Sequence, residues 1–399
     1  MIVGNRTSDT GAARPSALRS AFLTYGANLT GAILSLINVL IVAGALGAVG
    51  RGNVAFLTAI SWFVAHLSTL GVQEANANLA AARPRLRPSL ATNSVFLALL
   101  LGVSTLAALA LLVAAFPAVR GEADPTLFWA TLAFVPVLIL YPFMRFLVEA
   151  DYRFTVTNVG YLFPPLLNVA VNGSLAAVGL LSVETAVATW LAGQVLGTAF
   201  LAWYVARRLG GFGRPDLALA RRSLSFGLRA HAGRAMLLGN YRLDQWLLGA
   251  IAGPRELGLY SVAVAWAEAL WYLPTTLASV QRPDLVRARL DDAALLAARI
   301  FRAAALITAL SALVLVAAAP LLTVGIFGEE FRGSTDDLRV LAAGALGVVA
   351  LKLFGGALVA QGRPTLQSVG IGAGFVMTIV LDIVLIPPFG GLGAALAST

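Results

Sequence analysis

The sequence predicts an all-α polytopic membrane protein of two six-helix lobes, related by a pseudo-two-fold axis along the membrane normal. Three observations lead there. Apolar runs long enough to cross a bilayer recur from end to end, basic residues favour alternate loops, and the two halves of the chain carry matching segments. Hydrophobic residues fill 59% of the 399 positions and charged residues only 12%, against about 25% charged in a soluble domain. The mean hydropathy is +0.85. Too little polar surface remains to cover a globule in water, so lipid is the solvent for most side chains.

Eleven apolar segments lie near residues 19–48, 54–80, 89–116, 126–147, 158–181, 183–206, 226–251, 257–280, 300–328, 338–361 and 365–387. Each matches the roughly 20 residues that a helix needs to cross the hydrocarbon core. In lipid only helices and closed barrels satisfy every backbone polar group. Barrel strands would be about ten residues long and alternating, so these segments are helices. The polar stretch Met1–Pro15 leads into a long spanning run, and no cleavable signal peptide is expected.

A formal charge of +9 would raise nucleic-acid binding as a candidate for a soluble protein. Here arginine supplies nearly all of it, with Lys352 the one lysine, and the arginines sit mostly between apolar runs. The even-numbered loops carry Arg83, Arg85 and Arg87; Arg145 and Arg153; Arg207, Arg208, Arg214, Arg221, Arg222 and Arg229; Arg282, Arg287, Arg289, Arg299 and Arg302; and Arg363. That makes 17 basic residues, or 20 with Arg6, Arg14 and Arg19 of the tail, against 5 in the odd loops. The positive-inside rule then places the N-terminus and the even loops in the cytoplasm. Topology accounts for the charge, and no nucleic-acid partner is expected.

Internal matches set the architecture. Arg153–Gly160 aligns with Arg363–Gly370 at an offset of 210, and Asn172 corresponds to Asp382 at the same spacing. A weaker match relates Gly47–Arg83 to Gly253–Arg289 at an offset of 206. The lobes are therefore read as residues 1–210 and 211–399, joined by the arginine-rich sixth loop. Because six is even, both lobes share one orientation, as in parallel transporter repeats. The repeat expects a twelfth helix near 391–412, whereas the sequence stops at Thr399. The twelfth helix is thus expected to be truncated and the chain to be a piece of a longer protein.

Ionisable residues inside spans usually face a cavity or a partner. Arg234, Arg242 and Lys352 are such residues, and Asn240 and Asp244 flank Arg242 in the seventh helix. Arg234 and Arg242 are a little over two turns apart and can line one broad face, presenting positive charge to an anionic substrate. Equally, Arg242 neutralises Asp244 or Glu268 and docks the seventh helix on the eighth; both readings stand. Lys352 lies among apolar residues of the tenth helix and is read as facing the cavity, with snorkelling to a boundary as the alternative. Arg145, beside Glu149, and Arg19, before Tyr25 and Asn28, are topological anchors or substrate contacts. Glu268 is either a coupling-ion or proton site or a salt-bridge partner. Glu74, Asn76 and Asn78 finish the second helix, and Trp266 and Trp271 read as interfacial anchors or packing.

Other chemistry is poorly supported. Without cysteine there is no disulfide, thiolate metal site or cysteine nucleophile. His66 and His231, the two histidines, read as packing or interface residues without a metal role. No Walker-type GxxxxGK[ST] sequence is present, which argues against ATP hydrolysis by this chain. Acid–base sugar chemistry would need positioned carboxylates, yet the external loops are short and the first carries no acid. No cofactor and no enzymatic step are expected.

The stretch Tyr241–Glu268 resembles bacterial polysaccharide-repeat (oligosaccharide) flippases of the multidrug/oligosaccharidyl-lipid/polysaccharide exporter superfamily. So do Leu273-Pro274, Gly362-Arg-Pro364 and the closing Gly-Ala-Ala-Leu-Ala-Ser. The resemblance implies a V-shaped transporter of a dozen or more helices in the bacterial cytoplasmic (inner) membrane. It implies carriage of an undecaprenyl-pyrophosphate-linked oligosaccharide from the cytoplasmic to the outer leaflet by alternating access. The implied partners are that lipid-linked oligosaccharide, membrane lipids and polysaccharide assembly enzymes. Such a carrier needs a cationic central cavity, because each unpaired polar group of the substrate costs several kcal/mol in hydrocarbon. A cation-coupled multidrug exporter of the same superfamily is the first alternative, although that family's pattern implies an acid in the first helix, which is missing here. A peptidoglycan-precursor flippase is the second, and a membrane glycosyltransferase or polymerase the non-transport reading. A structural membrane scaffold is the blandest.

Overall fold

The computed structural model describes residues 17–271, 290–360 and 363–399, with side chains from residue 23 onward except at 230, 232, 290–294, 359, 360 and 364. The first lobe contains α1 (Ala17–Leu67), α2 (Val72–Ala82), α3 (Arg87–Ala115), α4 (Pro125–Leu132), α5 (Val135–Glu149), α6 (Phe154–Leu167), α7 (Gly173–Ala177) and α8 (Val183–Arg208). The second contains α9 (Leu217–Ile251), α10 (Gly253–Ala267), α11 (Leu290–Pro320), α12 (Gly333–Ala360), α13 (Pro364–Phe389) and α14 (Gly391–Ser398). No strand occurs among the described residues. The protein is an all-α, multi-pass membrane protein.

Among the described residues, eight helical stretches are long and apolar enough to cross a membrane. The first, Leu23–Leu67, has 45 residues; at about 1.5 Å per residue it is more than twice the thickness of a bilayer core. Gly47 divides it into two spans by a single non-helical residue, with φ 66° and ψ −173°. Large apolar side chains on the outer faces stay exposed, among them Leu100 and Val103 on α3, Leu310 and Leu313 on α11, and Val380 and Ile383 on α13. In a bilayer these faces meet acyl chains, so no soluble-protein rule is broken.

Proline and left-handed residues break several spans that read as continuous in the sequence. The second span stops at Leu67 and resumes at Val72, with Leu70 and Gly71 both left-handed. His231 of α9 donates from Nε2 to the freed Leu67 carbonyl at 2.7 Å. The fourth span breaks between α4 and α5, where Pro136 lacks the N–H that would bond to Leu132 and its ring crowds that carbonyl. π-helical turns at Asn168–Asn172 and Leu321–Gly325 follow Pro164-Pro165 and Pro320, the usual setting for such bulges. Elsewhere caps start the helices: the Asp124, Ser182 and Asp216 side chains accept from Leu127, Thr185 and Leu219 N–H groups.

The internal repeat is visible in the backbone. Gly47 and Gly253, Gly121 and Gly328, and Gly179 and Gly390 all have positive φ, one pair for each odd-numbered loop of a lobe. The lobes meet at this end through repeat-equivalent residues. A Cβ on Gly52 would collide with the Pro254 carbonyl, and a Cβ on Gly258 with the Ala48 carbonyl. At the offset of 206, Gly52 corresponds to Gly258 and Ala48 to Pro254. Reciprocal contact of this kind is the mark of a two-fold axis. Small residues here let backbones touch, the main source of helix association in lipid. Trp246 Nε1 donating to the Val119 carbonyl at 3.1 Å and Ala48 N–H donating to Glu330 at 3.0 Å extend the same joint.

One apolar core runs through both lobes, joining Phe56, Leu57, Phe128 and Phe143 to Leu248, Leu257 and Ile386. A second, around Leu90, Met144, Leu147 and Leu201, is drawn from the first lobe except for Leu219 at the start of α9. The eight residues of α14 begin where the repeat expects the twelfth helix.

Candidate functional site

The candidate site is built on α9, whose register separates two chemistries. Residues 240 and 244 are one turn apart and share a face, whereas Arg242 points about 200° away from Asp244. Arg242 accordingly pairs with Glu268, its Nη1 donating to Oε1 at 2.9 Å. Of the two acids considered for Arg242 from the sequence, Glu268 takes the ion pair. Asp244 instead accepts from the Tyr260 hydroxyl at 2.5 Å, the Gln245 N–H at 2.7 Å and the Ser398 hydroxyl at 3.2 Å. The Arg242 and Glu268 side chains remain 32% and 27% exposed, so the pair is open to exchange with a ligand.

The other intramembrane cations are spread along the joint between lobes. Arg234 bonds Glu74 of α2 at 3.1 Å and bridges the lobes. The partner of Arg242, by contrast, lies in the second lobe. Lys352 holds its Nζ 5.0 Å from the centroid of the Tyr241 ring, and Tyr241 packs on Trp271 with centroids 5.5 Å apart. Arg145 is bound to Glu149 one turn along α5 at 2.7 Å. It lies within electrostatic range of Tyr161, which in turn senses Glu268 across the lobes. Asn240 reaches the Ile371 carbonyl only at 3.5 Å, and its Oδ1 is buried without a partner among the described residues. The side chain of Arg19 lies outside the described residues.

Arg51 is the residue that loop counting missed. It stands at the start of the second span, half-buried, without an ion pair among the described residues and within electrostatic range of Arg242. Its position one residue from Gly52, the glycine contacted by the second lobe, is what draws it inward. Two guanidiniums thus approach one another, and among the described residues Glu268 is the only acid bonded to either. Guanidinium presents a planar fork of donors that fits phosphate oxygens two at a time. His66 stacks on Trp62 and its Nδ1 bonds the Trp62 carbonyl, a packing role like that of His231.

The chain matches the polysaccharide biosynthesis protein family over residues 46–336. It belongs to that family. No curated protein sequence gives a significant match. Solved structures do. "Lipid II flippase MurJ, inward closed conformation" is similar with a TM-score of 0.78 at 13% identity, covering 94% of this chain and 84% of that one. An inward-facing multidrug resistance MATE family transporter of the MOP superfamily gives 0.72 at 15% identity, covering 95% and 93%. An outward-facing one gives 0.63 at 14%, covering 96% and 90%. At these identities the likeness establishes the shared fold, a two-lobe membrane transporter architecture.

Proposed function

We propose that this protein flips a polyprenyl-diphosphate-linked oligosaccharide, of the undecaprenyl class, from the cytoplasmic to the outer leaflet of the bacterial cytoplasmic membrane. The observation that carries the reading is a cluster of cations where the lobes meet: Arg51, without an ion pair among the described residues, lies within electrostatic range of Arg242, whose bonded acid is Glu268. A diphosphate entering there displaces Glu268 and is held by both guanidiniums, while Lys352 and the Tyr241–Trp271 rings lie alongside for the first sugars. The prenyl tail stays in lipid against the apolar outer faces. Membership of a polysaccharide biosynthesis family supports the oligosaccharide, and the transporter fold supports movement rather than bond-making.

In this reading the lobes divide near residue 210, and the arginine-rich even loops face the cytoplasm. The close contacts around Gly52 and Gly258 then seal the outer side, and the headgroup is loaded from within. Arg234 and Arg145, paired to Glu74 and Glu149, are further stations for the headgroup, and Arg19 belongs at the inner mouth.

Proteoliposomes holding a labelled polyprenyl-diphosphate oligosaccharide test this directly, with outer-leaflet exposure as the readout. Arg242→Ala and Arg51→Ala should each slow exposure by about 10- to 100-fold, the scale of a lost charged hydrogen bond of roughly 1.5–3 kcal/mol. Wild-type rates in both variants would remove the headgroup site. A parallel arm with a lipid-linked peptidoglycan precursor, and one with a cationic dye, separates this reading from the two transport alternatives.

A further inference from the structure

At the even-loop end of the first lobe, the connection from α8 to α9 is clamped to the start of α3. Gly213 N–H donates to the Pro88 carbonyl at 2.9 Å, and Thr92 Oγ1 donates to the Gly213 carbonyl at 2.8 Å. Asn93 grips Asp216 twice: its Nδ2 donates to the Asp216 carbonyl at 2.8 Å, and its Oδ1 accepts the Asp216 N–H at 3.0 Å. Leu209 and Leu219, on either side of the connection, are buried in one cluster with Leu79 and Leu90. The connection is a fixed ledge on the first lobe.

That ledge carries positive charge without acids to match. Arg85, Arg207, Arg208, Arg214, Arg221 and Arg222 are exposed, and among the described residues no acid lies within ion-pair distance of any of them. Asp151 is taken by Arg87 and Arg153, and Asp216 caps α9 by accepting the Leu219 N–H. Apolar groups stand among the arginines. Trp203, one turn before Arg207 on α8, is 54% exposed, and Phe212 and Leu217 are 45% and 67% exposed. On α9, Leu219 and Gly227 pack on the first lobe and Ser223 between them is buried. Helical spacing then gives an outward stripe of Leu217, Arg221 and Leu228, with Arg222 beside it. The 35 residues of α9 span about 52 Å, against about 30 Å of hydrocarbon. Its first residues therefore extend into the polar boundary of the bilayer.

We propose that this ledge binds anionic phospholipids of the leaflet it faces, with Arg207, Arg208, Arg221 and Arg222 on their phosphates and Trp203, Phe212 and Leu217 among the upper acyl chains. Arginines interspersed with exposed apolar side chains suit a helix lying at a membrane surface, and a cluster of this size beside a span suits anionic lipid. The rule that sets topology counts charges and is indifferent to their arrangement. Here hydrogen bonds to Pro88, Thr92 and Asn93 hold the arginine-bearing backbone in place, which a binding surface needs and a topological signal does not. An acidic protein would answer the arginines but leave Trp203, Phe212 and Leu217 uncovered; a lipid answers both. The inference stands independently of what the protein transports. Because α9 runs on from the ledge to Arg242, bound lipid steadies the end of the helix that carries that residue.

The test places the purified full chain in phosphatidylcholine nanodiscs containing a small, equal fraction of brominated phosphatidylglycerol or brominated phosphatidylcholine. Quenching at Trp203 is read as the difference between wild type and Trp203→Phe. Wild type should be quenched more by the brominated anionic lipid, and added salt should weaken that preference. Each arginine neutralised should lower the relative affinity for the anionic lipid about five-fold at low salt. Arg207→Gln, Arg208→Gln, Arg221→Gln and Arg222→Gln combined should abolish the preference; these side chains are exposed, so the variant should fold. Arg299→Gln with Arg302→Gln, exposed arginines of the second lobe, should keep it. Arg242→Ala should keep it too, which separates the ledge from the substrate site. Equal quenching by the two lipids in wild type, or a preference that survives in the four-arginine variant, overturns the proposal. So does an equal loss in the Arg299 and Arg302 variant, which would reduce the effect to total charge.

Discussion

Removing Glu268 should make the protein bind its substrate more tightly. The pair sits 2.9 Å apart, where unit charges attract by about 6 kcal/mol at an effective dielectric of about 20. About a third of each side chain is exposed, so water and ions screen much of that. Exposed pairs yield about 0.2–1 kcal/mol and the breaking of buried ones about 3–5; a half-exposed pair falls near 2 kcal/mol. A diphosphate must displace Glu268 to reach Arg242, so Glu268→Gln removes that competition and should tighten binding by about 30-fold. Fluorescence titration of a short-chain polyprenyl diphosphate into the purified protein measures it. Turnover should fall at the same time, because a headgroup held more firmly leaves more slowly. Adding Glu268→Gln to Arg242→Ala should change nothing further, since the coupling needs both partners. Equal or weaker binding in Glu268→Gln, or a gain that persists without Arg242, would refute the exchange.

Gly52→Val and Gly258→Val should lower the unfolding midpoint by similar amounts, because each drives a side chain into the other lobe's backbone at an equivalent position; overpacking costs about 1–3 kcal/mol. His231→Leu should strand the Leu67 carbonyl at a cost of about 1–3 kcal/mol, and amide exchange should speed up around residues 67–71 first. Lys352→Met keeps the stem but loses the charge over Tyr241, so headgroup affinity should drop by roughly 2- to 30-fold, the range of a cation–π contact of about 0.5–2 kcal/mol, with the midpoint little changed.

The helices and the repeat were legible because lipid imposes long apolar runs, and because matching segments keep their spacing through both lobes. The odd-loop glycines show why the weaker offset of 206 was real: Gly47 and Gly253 each turn the chain with positive φ. What stayed hidden depends on neighbours distant in sequence. The interruption after Leu67 lies where Gly71 meets the Gly227 backbone, a contact no local pattern announces. Arg51 counted as a loop charge because nothing nearby reveals that Gly52 is pressed against the other lobe. Asp244 was considered as a partner for Arg242, two positions away, yet helical geometry turns it to Tyr260 and Ser398. Asp382 stood out as a polar residue in an apolar run, but that its carboxylate oxygens have no partner among the described residues is visible only in three dimensions.

The reciprocal seating of Gly52 on Pro254 and Gly258 on Ala48 also bears on ancestry. A surface that fits its own copy needs no second design. Two identical chains of one lobe each, inserted in the same sense, would have met through the same four residues. Fusion would then have freed each half to diverge, one keeping neutral amides in its interior and the other acquiring acids.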